Sequence, residues 1–234
     1  VDFKDGKGLM PTQGGGDERF YVWVWEAMCM LRPMLALGYF EPVRKSLAFI
    51  FSLQDGGCPP SGEFTSLAGA IGTTGPRWLN ATGSALGLAA DYAAVSQDAV
   101  FLEEYLPKML RAADWLIGEV RATRKLGPDG TRPITYGLLP FGHGTDGDVG
   151  YAVSLSDTYS LWGLDRLAAL LESCSHARAA EVRAETERYR SDLGEAIARL
   201  TRPDGFIDRK IVTGRPDERY SREFEHVCGA VHYA

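Results

Sequence analysis

The sequence is poor in the residues that would mark a metalloprotein, a disulfide scaffold, a nucleic-acid binder or a membrane protein. Its four cysteines, Cys29, Cys58, Cys174 and Cys228, are scattered and form no C-x-x-C pair, which argues against a disulfide framework and against a zinc site. Cys29 and Cys174 fall in helical patterns and are expected to be small buried hydrophobes. The four histidines show no H-x-x-x-H spacing, so no metal and no cofactor is expected. Asp146-Gly147-Asp148 lacks the remaining spacing of a calcium loop. The Gly-x-Gly within Phe141–Gly144 follows no predicted strand, which makes a phosphate loop a weak reading. A formal net charge of −6 leaves no basic footprint, so nucleic acid is not expected as a partner. The most apolar stretch, Phe20 to Leu37, is interrupted by Glu26, Arg32 and Pro33, and no membrane span is expected. No signal-peptide pattern is present, the chain opens on Val1 rather than Met, and the compartment stays open.

What the sequence has is helical periodicity, in 234 residues with 45% hydrophobic content, enough for a sizeable core. After a glycine-rich lead-in over residues 1–17, Phe20, Trp23, Val24, Ala27, Leu31 and Leu35 recur at helical spacing. Trp25, Met28 and Met34 make the other side apolar too, so a helix over about Glu18–Leu37 is expected to be buried on most faces. Gly38 should end it, and Pro42 should open a second helix running to Gln54. A small-residue helix follows over about Ala81–Val95 and a charged amphipathic one over about Ala99–Arg124. The next pair covers about Ser156–Glu172 and a strongly charged stretch through Leu200. A new helical pattern begins at Tyr220.

These pieces repeat as helical hairpins over about 18–54, 81–124 and 156–200, with the start of a fourth at 220–234. In each, the first helix is apolar or built of small residues, and the second is more charged. Links within a hairpin are short, while links between hairpins are long. A curved array of such hairpins places every long connection on one face, beside the N-termini of the first helices, with those helices inside and the charged ones outside. The third connection, Gly127 to Asp157, is the longest. Three prolines and many glycines make it read as irregular, and it concentrates His143, Asp146 and Asp148. Long connections of this kind in compact proteins are usually functional.

The stretch YVWVWEAMCMLRPMLALGYFEPVRKSLAFIFSLQDGG resembles the first hairpin of six-hairpin glycosidases, glucoamylase-like enzymes above all. There an aromatic-rich helix start precedes an L-x-x-x-G-Y link and a second helix ending in Q-x-G. WLNATGSALGLAADYAAVSQDAVFLEEYLPKMLRAADWL is similar to their second hairpin, and YGLLPFGHGTDGDVGYAVSLSDTYSLWGLDRLAALLE to their third. The resemblance covers about Arg19 to Asp208. It implies an all-α fold, a helical-hairpin repeat forming a partial (α/α)6 toroid. The chain would be a single domain, 1–234, the N-terminal or central part of a catalytic domain, and the remaining half of the toroid would be its partner. The bacterial rhamnosidases share that architecture, but their acidic E-R-x-G-W-type signature is absent here.

The same resemblance implies a carbohydrate-active enzyme, a glycoside hydrolase that cleaves an oligosaccharide or polysaccharide with paired carboxylates and direct water attack, inverting the anomeric centre. Such chemistry needs one carboxyl group to donate a proton and another to activate water. Carried onto this sequence, the general acid falls on Asp148, with Asp146 as the alternative, and the partner base would come from a late hairpin. The competing reading makes Asp146 and Asp148 an Asx-turn that satisfies backbone N–H groups. Glu26, with Trp25 before it, stands where glucoamylase-like enzymes carry an Arg-Asp pair that grips the sugar, a departure that argues against glucose. The alternative pairs Glu26 with an arginine inside the ring. Other sugar-binding candidates on the loop face are Trp23, Arg77, Trp78, Asn80, Tyr136, His143 and Tyr151, with Asp17, Glu18 and Glu63 nearby. Trp78 is preferred to Trp23 because it sits at a loop-to-helix junction, and Trp115 and Trp162 are assigned to packing. His143, between two glycines, is flexible enough for ligand contact, and the alternative is a solvated loop histidine.

Two further functions are consistent with the pattern. A polysaccharide lyase or sugar epimerase on the same toroid would use Tyr136, Tyr151 and His143 as proton-transfer groups. A non-catalytic helical-repeat scaffold would tolerate deletion of the long loops and lack converging acids.

Overall fold

Each hairpin owes its sharp turn to one or two residues with unusual backbone angles. The computed structural model describes residues 21–75, 77–145, 148–150, 155–201, 203 and 205. Six helices run through them: α1 (Val24–Ala36), α2 (Phe40–Ser52), α3 (Asn80–Ser96), α4 (Ala99–Ala122), α5 (Leu155–Ser173) and α6 (Ala179–Leu200). Gly38 takes a φ of +82° just past α1. There Tyr39 N–H donates to the Met34 carbonyl and Gly38 N–H to that of Leu35, both at 3.0 Å, the Schellman closure that glycine permits. Between α3 and α4, Gln97 takes a left-handed φ of 56°, and Asp98 caps α4 by accepting from Phe101 N–H at 2.9 Å. These two short links lie side by side. The Phe40 ring meets Tyr92 edge-on at 6.4 Å, and Arg44 Nε sits 3.1 Å from Asp98.

The inner layer is α1, α3 and α5, with α3 packed between the other two. Small residues make that possible. Every residue of α3 from Asn80 to Ala93 is buried. A Cβ on Gly83 would lie 2.5 Å from the Ser160 Cα of α5, and one on Gly87 would run into the Trp162 ring. The side chains of α1 and α5 therefore reach across α3 to each other. Trp25 packs on Tyr159 with ring centroids 6.2 Å apart, and the Arg32 guanidinium lies 5.0 Å from the centre of the Trp162 ring. Outside, α2 packs on α1 and α3, α4 on α3, and α6 on α5. This is an all-α helical-hairpin repeat in two layers, and Trp115 and Trp162 are packing residues, buried to 3% and 7% exposure.

Three expectations are corrected. First, the described part of α1 begins at Val24, and residues 21–23 are not helical. Second, α1 is not buried on most faces: Cys29, Met30 and Pro33 are exposed, and so is Cys174 at the end of α5. Packing by α2 and α3 covers only part of the α1 circumference, so apolar composition overstated its burial. Third, the long connection before α5 is not irregular throughout. It holds an antiparallel ribbon, β1 (Gly142–Thr145) and β2 (Asp148–Gly150), with His143 opposite Val149, Thr145 opposite Asp148 and a bulge between them. The lead-in over 1–17, the start of the first predicted helix, the fourth helical pattern from Tyr220, Asp17, Glu18, Cys228, His226 and His232 lie outside the described residues. Among the described residues no helix is long and apolar enough to cross a membrane.

Candidate functional site

The long connections meet on one face, as the repeat requires. The residues before α1 touch the second connection, where Val22 N–H donates to Thr74 Oγ1 at 2.7 Å. The second connection touches the third through alternating backbone bonds: Glu63 N–H to Phe141 O at 2.8 Å and His143 N–H to Ser61 O at 2.9 Å. Gly62 and Gly142 form an antiparallel bridge, and a Cβ on Gly62 would collide with the Phe64 ring and come within 2.5 Å of the Phe141 carbonyl. Finally, Leu79 N–H donates to His143 O at 2.9 Å. Strand β1 is thus held between the second connection and the N-terminus of α3, and it carries β2 on its edge. These bonds join residues far apart in sequence, and no local pattern announces them.

Each connection is also fastened to the outer layer. Glu119 of α4, 2% exposed, accepts from Thr65 N–H, Thr65 Oγ1 and Ser66 N–H at 2.9, 2.6 and 3.0 Å. Trp115 Nε1 donates to Ser66 O at 2.8 Å. The third connection is tied by Arg124, which donates 2.9 Å bonds to Glu185 and Asp192 of α6. Gly137, with a φ of +69°, packs so close to the Asp192 carboxylate that a Cβ there would collide with it. Burial pushes the Glu185 carboxyl up, but the hydrogen bonds and charges of Arg121 and Arg124 outweigh it and hold the group down at about 2. Two residues on, Leu139 N–H donates to Asp157 Oδ1 at 2.9 Å, and Tyr189 OH donates to the same oxygen at 2.6 Å. Burial raises Asp157 to about 6 against these two bonds, and pushes the Tyr189 phenol well above its ordinary value. Asp157, Glu119 and Arg124 carry no motif in the sequence; their roles come from tertiary partners.

The predicted site residues distribute over this face unevenly. Trp23 and Trp78 are brought together, ring centroids 6.1 Å apart, and both are buried, at 7% and 6% exposure. The junction position does not leave Trp78 more open than Trp23. Trp25 and Glu26 are half-buried in the first turn of α1. Asn80 is buried at the start of α3, its Nδ2 3.4 Å from Gly144 O. Arg77 is exposed and donates to Pro59 O at 2.9 Å. Tyr136 lies on the α6 flank, its ring covered by the Arg132 guanidinium at 4.5 Å beside Asp192 and Glu195. His143 is half-buried in β1 with its N–H and C=O both bonded. The backbone of Asp148 opens β2 opposite Thr145. Asp146 and Tyr151 lie outside the described residues.

Several buried polar atoms at the loop end of the inner helices have no hydrogen-bond partner among the described residues. They are Nε1 of Trp23 and Trp25, and Oγ of Ser84, Ser156 and Ser160. Buried polar atoms are normally paired; Ser84, Ser156 and Ser160 are 0–2% exposed within the packed α3 and α5 helices. Among the described residues no three His, Cys, Asp or Glu side chains converge as a metal site would require.

No protein-family model matches the sequence, and no curated protein matches it. A solved structure does match: a metal-independent alpha-mannosidase of Streptococcus pneumoniae, in a non-productive complex with alpha-1,6-mannobiose. The TM-score is 0.59 at 13% identity, over 90% of this chain and 58% of that one. The two share a fold. The helical hairpins here form part of an (α/α)6 toroid, and the chain spans a little over half the length of the mannosidase.

Proposed function

We propose that the chain is part of a glycoside hydrolase that cleaves an oligosaccharide or polysaccharide, with Asp148 as the proton donor and Asp146 as the alternative. The observation that carries this reading is the attachment of the ribbon. Strand β1, which pairs with β2 and so with the backbone of Asp148, is hydrogen-bonded to Leu79 at the head of α3 and, through Gly144 O, to the Asn80 side chain. Tryptophan rings and polar side chains on this face suit a sugar, which offers C–H groups on its faces and hydroxyls at its edges. Trp25, Glu26, Trp23, Arg77, Trp78, Asn80, His143 and Tyr151 are the proposed sugar contacts, while Tyr136, on the α6 flank, is set aside. The fold shared with an enzyme crystallised with a mannobiose supports a saccharide ligand and makes alpha-mannosides the first substrates to test.

The reaction is direct displacement by water with inversion. Asp148 donates its proton to the departing glycosidic oxygen while a second carboxylate, supplied by the remaining half of the toroid, takes a proton from the attacking water. The domain 1–234 would then bind sugar and hold the acid, and the complete toroid would turn over. Asp148→Asn in the full-length protein is expected to abolish hydrolysis of a glycan panel, with the anomer of the first-formed product read by NMR. Near-normal turnover by that variant would overturn the assignment. An unsaturated product absorbing in the near ultraviolet would replace hydrolysis with elimination.

A further inference from the structure

We infer that Asp157 is the positioning residue for the β1–β2 ribbon, holding the root of the strand pair that carries Asp148. It is a buried carboxyl group, 2% exposed in the first turn of α5. Its Oδ1 gathers two donors from different elements, the Leu139 N–H of the third connection and the Tyr189 hydroxyl of α6. Leu139 is three residues before β1. From there the backbone is fastened at every second residue: Leu139 to Asp157, Phe141 to Glu63, and His143 to both Ser61 and Leu79. The last two sets are backbone bonds that any sequence could make. The first depends on a side chain, as do the Thr123 Oγ1 bond to Leu138 O at 2.7 Å and the longer Asn80 Nδ2 contact with Gly144 O at 3.4 Å. Asp157 alone of these three joins the segment to α6 as well, through Tyr189, so its substitution loosens the ribbon at its root. Without it, the Leu139 N–H and the Tyr189 hydroxyl would both lose their acceptor in a dry environment, and the segment would have to open to water.

The catalytic consequence rests on the reading of Asp148 as proton donor; the structural role does not. Hydrogen–deuterium exchange on the full chain separates the two. In Asp157→Ala, peptides covering residues 137–150 should exchange about ten-fold faster, the factor expected for one buried hydrogen bond, while α1 and α2 peptides keep their rates. Asp157→Asn keeps the Oδ1 acceptor and should restore wild-type protection. Unchanged exchange over 137–150 in Asp157→Ala, or equal acceleration in every helix, overturns the inference. Should Asp157→Ala fail to fold, Tyr189→Phe removes one of the two donors. It must still raise exchange over 137–150 above that of the rest of the chain, and no local increase overturns the inference. Kinetics of the intact protein add the second arm. A fall in kcat with little change in KM, rescued by Asp157→Asn, supports positioning of the acid. Faster ribbon exchange with unchanged kcat leaves the positioning role standing and removes Asp148 from the mechanism.

Discussion

Gly83 of α3 lies directly on Ser160 of α5: a Cβ placed on the glycine would come within 2.5 Å of the serine Cα. Gly163, one turn on, packs against the Gly83 carbonyl in the same way. The contact is backbone to backbone, so no side chain can swing aside to admit a methyl group. It sets the spacing of the inner layer, and with it the reach of Trp25 to Tyr159 across α3.

Gly83→Ala is therefore expected to destabilise the chain by about 1–3 kcal/mol, the usual range for overpacking a filled core. At this chain length that corresponds to a melting point lower by about 2–4 °C per kcal/mol. Gly118→Ala is the control. Gly118 faces open space on α4, and alanine there should stabilise by about 0.5–1 kcal/mol through helix propensity alone. Thermal melts of the two variants should move in opposite directions.

The hairpins were legible because burying one face of a helix imposes a period that the chain shows openly, as in Leu102, Leu106, Met109, Ala113 and Leu116 of α4. Their ends were legible where chemistry is local, as at Gly38. The ribbon was not. GHGT and DVG contain no alternating apolar run, and β1 is held in place by Gly62, Ser61 and Leu79, far away in sequence. The candidate site was legible in part. The meeting of Trp23 with Trp78 follows from the repeat, whereas Asp157 reads in sequence as an ordinary first-turn acid of α5. Its importance comes from Leu139 and Tyr189, which only the folded chain brings to it.

Asp157 gives stability an unusual dependence on pH. Its carboxyl is raised from 3.8 to about 6 by burial, so the folded state holds the proton more tightly than the unfolded chain. The contribution is complete below about pH 4 and is lost as pH rises through about 6, a span of about two units or about 3 kcal/mol. Asp157→Asn cannot ionise and keeps the Oδ1 acceptor. Its melting point should match the wild type near pH 4 and exceed it near pH 7.5. Parallel curves for the two proteins would show that Asp157 does not titrate in this window.

Glu185 acts in the opposite sense. Arg121 and Arg124 hold it at about 2, below its ordinary 4.5, despite its burial. Its stabilisation is present above about pH 4.5 and is lost as pH falls toward 2, again about 3 kcal/mol in all. Glu185→Gln should flatten the acid limb of the stability curve and lower stability at neutral pH. Arg124→Met should cost more, because among the described residues it leaves Asp192, 8% exposed, with Arg132 at 3.6 Å as its remaining cation. Urea titrations at pH 3 and pH 7 measure both effects.

Glu26 decides whether the first turn of α1 grips a sugar or braces the ring. It is half-buried, directly after Trp25, and one helical turn from the loop face. If its carboxylate binds a hydroxyl, Glu26→Gln removes a charge-assisted hydrogen bond to the ligand, worth about 1.5–3 kcal/mol. The dissociation constant for an oligosaccharide should then rise about ten-fold or more, with the melting point nearly unchanged. If instead it serves an arginine inside the ring, the same substitution strands a charge, so stability falls and affinity holds. We expect affinity to fall, because Glu26 follows Trp25 in the first turn of α1, at the loop end of the inner helices. Calorimetric titration and thermal melts of one variant distinguish the two, since each reading moves only one of the measurements.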